Sequence, residues 1–76
     1  GGGGVVNAEL GSNAKGDYSL QLIDATGRTV NTKIVTNAQS NQLITIQSGG
    51  LASGVYILKI VSRHYNETTL SKVIFK

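Results

Sequence analysis

The stretch Leu51-Ala52-Ser53-Gly54-Val55-Tyr56-Ile57-Leu58-Lys59-Ile60 is the longest apolar run of the chain. β-Branched and aromatic residues dominate its second half, and the small residues Ser48-Gly49-Gly50 precede it. This pattern predicts a loop that leads into a largely buried strand. Because the chain has only 76 residues, its other elements must pack against this strand.

Segments on both sides of this strand also predict β-structure. The clearest is 17–24, where Tyr18, Leu20 and Leu22 would face one side and the polar residues between them the other. Asp24 to Arg28 predicts a turn, because Asp can bond to backbone amides ahead of it and Gly27 can take positive φ. The odd spacing of Val30 and Val35 would suit a bulge in the return strand. The predicted strands are 5–10, 17–24, 28–36, 43–46, 55–62 and 68–75.

Short strands separated by polar turns, without helical periodicity, favour an all-β fold. We expect a small antiparallel β-sandwich, immunoglobulin-like, of about six to seven strands. The abundance of Thr, Val and Ile and the lack of proline agree with this class. Gly1 to Gly4 are interpreted as a tag or linker remnant. Residues 5–76 would then form the domain.

Composition and charge exclude several classes of protein. The chain has no cysteine, so it is not a disulfide-stapled scaffold. No apolar run is long enough to span a bilayer, and no signal peptide is visible, so an export signal would have to lie upstream. The net charge is +3, but the Lys and Arg residues are spread singly and aromatic residues are few. This footprint argues against nucleic-acid binding.

The residues that carry chemistry in enzymes do not form a recognisable pattern here. We find no Ser/His/Asp order, no paired carboxylates and no phosphate-binding glycine loop. His64 is the single histidine and stands in a polar hairpin, where a solvated role is the usual one. Asp17 and Asp24 flank one strand but lack the further oxygen ligands that a cation needs. We therefore predict no enzyme activity, no cofactor and no metal.

Three segments, taken in order, match the pattern of a known family. The first is Tyr18-Ser19-Leu20-Gln21-Leu22-Ile23-Asp24-Ala25-Thr26-Gly27-Arg28-Thr29-Val30, an alternating strand that closes in Asp-x-x-Gly-Arg. The second is the run 51–60, with its Leu-x-x-Gly-x-Tyr start. The third is Ser71-Lys72-Val73-Ile74-Phe75-Lys76, a Lys-apolar-apolar-apolar-Lys ending. In this order they resemble the type A C-terminal sorting domain of the type IX secretion system, over nearly the whole chain after the glycines.

The resemblance implies an address label on a large exported protein of a Gram-negative bacterium. The outer-membrane type IX translocon would recognise it after the parent protein reaches the periplasm. A surface peptidase would then remove the domain and attach the parent to the cell surface, or the parent would be released. The implied partners are the translocon, the peptidase and the parent protein upstream in the chain, and the implied location is secreted or at the cell surface.

The chain also departs from the family pattern. Members commonly begin with a strand that leads into a Pro-Asn-Pro turn, and this chain contains no proline. Either the chain starts after that turn, or this member has diverged from the pattern. If the first strand is missing, one sheet edge stays unpaired and could pair with another copy or with a partner. Ala52 replaces the usual proline of the second segment, while Gly54 and Tyr56 are kept.

Each candidate for translocon recognition also has a purely structural explanation. Gly54 lets the chain turn into its strand, and Tyr56 would fill the core with its hydroxyl at the surface. Gly27 serves the turn, whereas Arg28 is expected to be exposed. The last segment could add to a partner's sheet or be an ordinary edge strand guarded by lysines. The candidates are Gly27, Arg28, Gly54, Tyr56, Lys72, Val73, Ile74, Phe75 and Lys76.

Two other functions stay open at this stage. One is an appended β-sandwich binding module, for carbohydrate or protein, of a secreted enzyme. A sugar module usually presents exposed aromatic rings, and with Tyr18 and Tyr56 predicted to face inward only Tyr65 is free. The other is a structural module that self-associates through an open edge strand. Self-association is compatible with sorting.

Overall fold

The computed structural model describes residues 4–75. In this range the chain forms six β-strands and no helix, as the all-β prediction requires. No helix in this range is long and apolar enough to cross a membrane. The strands are β1 (Val5–Glu9), β2 (Tyr18–Ile23), β3 (Thr29–Val35), β4 (Leu43–Gln47), β5 (Gly54–Ser62) and β6 (Glu67–Phe75). Gly1, Gly2, Gly3 and Lys76 lie outside the described residues.

The strands form two antiparallel sheets, which confirms the small β-sandwich. The large sheet has four strands in the order β3-β2-β5-β6, and the small sheet pairs β1 with β4. β5 pairs with β2 on one side and with β6 on the other. The apolar run around which the sequence is organised is therefore an interior strand of the large sheet.

The core lies between the two sheets and follows the alternation predicted from the sequence. Leu20 and Leu22 of β2 are fully buried, and Ile44 and Ile46 of β4 face them from the small sheet. Alternation with period 2 places these residues on one face of each strand. The buried hydrophobic residues among those described are Val6, Ala8, Leu10, Tyr18, Leu20, Leu22, Val35, Ile44, Ile46, Tyr56 and Leu58.

The return strand β3 contains the bulge that its sequence suggests. Leu22 pairs with Asn31 and the next residue, Ile23, pairs with Thr29, so Val30 is the extra residue. The extra residue lets both Val30 and Val35 contact the core, although their odd spacing would place them on opposite faces of a regular strand.

Burial of the central strand is one-sided, which corrects the expectation of a largely buried strand. On the inner face of β5, Tyr56 and Leu58 are buried. On its outer face Val55 is exposed, and Ile57 and Val61 are only half-buried. The small sheet covers one side of the large sheet, and no element of residues 4–75 covers the other.

The β5–β6 hairpin is fastened to the loop between β1 and β2. The Tyr65 hydroxyl donates to the carbonyl of Asn13 at 2.7 Å, and the amide of Arg63 donates to the carbonyl of Asp17 at 3.0 Å. The His64 ring stands edge-on to Tyr65, with ring centroids 4.6 Å apart. Tyr65 is therefore not the free side chain that the sequence suggested, although it is 42% exposed.

Replacing Leu20 by alanine tests the position of the core. Leu20 is 0% exposed, so Leu20→Ala should lower the free energy of unfolding by about 3 kcal/mol. The measurement is urea unfolding followed by circular dichroism. Leu43→Ala is the control, because Leu43 is 62% exposed and its truncation should cost less than about 0.5 kcal/mol. Equal losses would contradict this packing.

Candidate recognition site

The three segments singled out in the sequence meet at one end of the large sheet. Strand pairing places Gly54 beside Phe75, Tyr56 beside Val73 and Ile57 beside Lys72. On the other side of β5, Ile57 pairs with Ile23, the last residue of β2. The turn at 24–28 follows directly. The start of β5, the end of β6 and this turn are therefore neighbours, although about 50 positions separate Asp24 from Phe75.

Asp24 organises the turn between β2 and β3. One oxygen of its carboxylate, Oδ1, accepts hydrogen bonds from the Thr26 hydroxyl at 2.6 Å and from the amides of Thr26 and Arg28, each at 3.0 Å. The amide of Gly27 donates to the Asp24 carbonyl at 3.0 Å. Gly27 has φ of 90°, which a residue with a Cβ adopts only under strain. The turn thus accounts for the aspartate and the glycine of Asp-x-x-Gly-Arg.

Arg28 has a side chain that is exposed enough to contact a partner. Its side chain is 78% exposed, and its Nε lies 3.4 Å from Oδ2 of Asp24. An exposed pair of this kind adds little stability. The guanidinium carries further donors that can bind a carboxylate or a phosphate of another molecule. Exposure of Arg28 was predicted from the sequence and is confirmed.

The hydrogen bonds of the turn change the acidity of Asp24. The Thr26 hydroxyl, followed by the amide of Arg28, lowers the pKa of the Asp24 carboxyl below its ordinary value. The nearby Arg28 charge acts in the same direction as a smaller contribution. The carboxylate form is thus the one that the folded turn stabilises.

Gly54 and Tyr56 hold the start of β5 in place. Gly54 has φ of 148°, in the region that favours glycine. The Tyr56 ring is buried and packs on Phe75, with ring centroids 4.8 Å apart. Its hydroxyl donates to the carbonyl of Ala52 at 2.7 Å. The prediction that Tyr56 fills the core is confirmed, and its hydroxyl closes the preceding loop.

A shallow cleft lies between two of the three segments. It has a volume of about 180 Å³ and is lined by residues 24–26 of the turn and 53–56 of the β5 start. Sites that enclose a drug-sized molecule measure roughly 300 to 1,000 Å³. The cleft is therefore too small to enclose such a ligand, and a partner would contact the rims formed by the turn and the strand start.

β6 is one of the two edge strands of the large sheet, and β3 is the other. The nine residues of β6 pair with β5 in an unbroken register, and none of them is fully buried. Val73 and Phe75 are half-buried against the core, whereas Lys72 and Ile74 are exposed. An edge strand leaves one row of backbone N–H and C=O groups unpaired. The segment 72–75 can therefore add a partner's strand to the sheet.

The remaining candidates for chemistry do not come together. In residues 4–75, no group of three or more His, Cys, Asp or Glu side chains is arranged to hold a metal ion. Asp17 uses Oδ1 to accept the amide of Asn37 at 3.1 Å, in a loop contact. His64 packs on Tyr65 in the hairpin.

Two tertiary hydrogen bonds could not be predicted from the sequence. The bonds from Tyr56 to Ala52 and from Tyr65 to Asn13 both end on backbone carbonyls. Any residue offers such an acceptor, so residue type could not identify it. The Asp24 turn, by contrast, was visible because Asp and Gly have specific roles in turns.

The chain is thus a small β-sandwich in which β6 is an exposed edge strand of the large sheet. A comparison with protein-family models matches residues 4–76 to the secretion system C-terminal sorting domain. The chain therefore belongs to this family of type IX secretion sorting signals. Searches of curated proteins and of solved structures found no match.

Membership in this family implies a general function. Members of this family are sorting signals rather than catalysts, and they act on an exported parent protein. The protein that carries the chain is thus secreted or located at the cell surface.

Substitution of Thr26 tests the electrostatics of the turn. At pH values above the ordinary pKa of an aspartate, near 4, the lowered pKa of Asp24 stabilises the folded protein. This contribution to stability is lost as the pH falls through the lowered pKa. Thr26→Val removes the largest cause, so the pKa of Asp24 should rise toward its ordinary value. The measurement is an NMR titration of the Asp24 carboxyl carbon. Thr29→Val, outside the turn, should leave that pKa unchanged; an equal shift in both variants would refute the assignment.

Removal of the Tyr56 hydroxyl tests its structural role. Tyr56→Phe keeps the ring against Phe75 but deletes the bond to Ala52, so the free energy of unfolding should fall by about 1 kcal/mol. Chemical denaturation measures this loss. Tyr65→Phe deletes an equivalent bond at the exposed end of the molecule and should cost less. An unchanged stability of Tyr56→Phe would show that the hydroxyl does not hold the loop.

Proposed function

We propose that the chain directs a large exported parent protein through the outer-membrane type IX translocon. One observation carries this proposal beyond family membership: the three motif segments, distant in sequence, meet at one end of the large sheet beside an open edge strand. A surface assembled in this way is presented only when the domain has folded. The translocon then recognises a folded unit at this end.

Within this end, the candidate residues divide into two groups. Arg28, Lys72 and Ile74 are exposed and can contact the translocon directly. Gly27, Gly54 and Tyr56 shape the turn and the strand start that hold the contacting residues in place. Val73 and Phe75 anchor β6 on the core while its outer edge stays open, and Lys76 extends the same segment.

Recognition proceeds through the free edge of β6. Unpaired backbone groups of an edge strand give affinity to an added strand, and alternate side chains give selectivity. β6 has no proline and no bulge along its nine residues, so it lacks two of the devices that block such pairing. The same edge can pair with a second copy, which would be a competing state rather than the exported one.

We assign the sorting domain to residues 5–76 and a linker remnant to 1–4. β1 begins at Val5, which supports this boundary, while the carbonyl of Gly4 already accepts the amide of Ser48 at 3.0 Å. A surface peptidase then cleaves upstream of β1 and either attaches the parent to the cell surface or leaves it to be released. The family of sorting domains is what supports these later steps.

The alternative of a carbohydrate-binding module gains no support from the aromatic residues. Tyr18 and Tyr56 are buried, Phe75 packs on Tyr56, and Tyr65 is engaged by Asn13 and His64. Only Tyr65 among them is exposed, at 42%, and a sugar-binding surface usually presents exposed aromatic rings as stacking platforms. We therefore keep the sorting function as the single proposal.

A fusion experiment tests this function. Residues 5–76 are attached to the C-terminus of a fluorescent passenger with a periplasmic signal peptide, in a host with a type IX system and in a translocon-null strain. Fluorescence in the medium and at the cell surface should depend on the translocon. Deletion of 72–76 should abolish it. Translocon-independent export, or a passenger trapped in the periplasm of both strains, would count against the proposal.

Two charge variants make the same experiment specific for the proposed end. Arg28→Glu should reduce export, because Arg28 is exposed and pairs with Asp24, whose turn lines one cleft with the start of β5. Arg63→Glu makes the same change of charge in the hairpin at the opposite end of β5. If both variants are exported equally well, Arg28 is not part of the recognised surface.

A further inference from the structure

The outer face of the large sheet is unusually apolar for a surface that nothing in residues 4–75 covers. A sheet with one solvated face normally carries polar residues there. On this face Val55, Leu70 and Ile74 are 43%, 64% and 56% exposed. The apolar members of the face, by strand alternation and register, are Ile23, Ile34, Val55, Ile57, Val61, Leu70 and Ile74.

The apolar residues of this face on β5 and β6, together with Ile23, are neighbours around two lysines, whereas Ser19 separates Ile34 from Val61. Ile23 and Ile57 are cross-strand partners, and so are Val55 and Ile74. Lys72 pairs with Ile57, while Lys59 pairs with Leu70. Lys59 and Lys72 are thus diagonal neighbours on β5 and β6, roughly 7 to 8 Å apart at the backbone.

The charge of this face is entirely positive within the described residues. The chain has four carboxylate side chains, Glu9, Asp17, Asp24 and Glu67. Glu9 is on the small sheet, Asp17 precedes β2, and Asp24 accepts the bonds of its own turn. Glu67 pairs with Ser62, whose side chain is buried, so it belongs to the inner face. The ion pair found in residues 4–75 is the one between Arg28 and Asp24, so neither lysine has an acidic partner there.

These charges decide between the molecules that could cover the face. Two copies packed face to face would bring four lysines together without a carboxylate, and removing unpaired charges from water is costly. A lipid surface is favoured by Trp or Tyr at the interface, but the tyrosines and Phe75 all belong to the core or to the hairpin. A protein surface with an apolar centre and carboxylates opposite the lysines would pair both charges and cover the apolar residues, without interfacial Trp or Tyr.

We propose that the outer face of the large sheet docks on a flat apolar surface of the export machinery, with partner carboxylates paired to Lys59 and Lys72. This inference rests on the proposed sorting function and specifies the chemistry of the partner. The face adjoins the free edge of β6, and Lys72 and Ile74 belong to both. An added strand at the edge and a docked surface on the face would therefore contact one receptor.

Charge reversal in the fusion experiment tests the proposal. Lys59→Glu with Lys72→Glu should lower translocon-dependent export by roughly tenfold or more, because like charges would then face each other across the interface. Lys59→Arg with Lys72→Arg keeps both charges and should restore export. The matched control is Lys15→Glu with Lys33→Glu, which changes the net charge equally in the β1–β2 loop and on β3. Urea unfolding of each variant verifies that it is folded.

A second measurement reports on the lysines directly. The complete exported protein is isolated with outer membranes in mild detergent and treated with a carbodiimide, which joins amines to carboxylates in contact. Mass spectrometry should find Lys59 and Lys72 joined to Asp or Glu of another protein far more often than Lys15 and Lys33. Equal yields would overturn the proposal, and so would links to the acidic residues of a second copy.

The outcomes separate this inference from the sorting function. If the unaltered chain is exported and the Lys59/Lys72 charge reversal is exported equally well, the docking face is wrong and sorting stands. If the unaltered chain is not exported, sorting fails and the crosslinks alone decide whether the face binds an acidic protein. Binding of the chain to phosphatidylglycerol vesicles but not to phosphatidylcholine vesicles, lost on charge reversal, would assign the face to a lipid surface and overturn the proposal.

Discussion

The structure depends on β5 being paired on both sides while it is covered on only one face. Pairing with β2 and β6 makes it the interior strand that holds the large sheet together. On its inner face, Tyr56 and Leu58 pack into the core with Leu20 and Leu22 of β2. The small sheet has only two strands and covers one side of the large sheet. The apolar residues on the other side are left at the surface.

The same pairing explains how three short motifs come to lie at one end of the large sheet. Antiparallel neighbours bring the beginning of one strand beside the end of the next, so Gly54 lies beside Phe75. The Asp24 turn joins them because β2 ends beside Ile57. Residues with structural duties, such as Gly27 and Tyr56, position exposed ones, such as Arg28 and Lys72. Under the proposed function, substitution of the first kind would act through the shape of this end, and substitution of the second kind through direct contact with the partner.

The outer face shows how a sorting domain can combine a modest core with a surface for a partner. A chain of 76 residues buries a small share of its surface. Apolar residues that a larger protein would bury under a further layer remain available for binding here. Lys59 and Lys72 keep this face charged, which opposes packing against a second copy and favours an acidic partner.

Local chemistry in the sequence determined the strands, the alternation of the core and the Asp24 turn. These features depend on residues close in the chain: period-2 alternation in β2, the extra residue at Val30, and the hydrogen bonds of Asp24 to amides just ahead. The family motifs were also local, and the match over residues 4–76 confirmed the family that they indicated. Three other features follow from the packing of the two sheets: the buried face of β5, the hydrogen-bond acceptors of Tyr56 and Tyr65, and the meeting of the three motifs. Because β5 is apolar on both faces, its own pattern does not indicate which face the small sheet covers. The acceptors of the tyrosine hydroxyls could not be predicted either, because every residue has a backbone carbonyl that can accept a hydrogen bond.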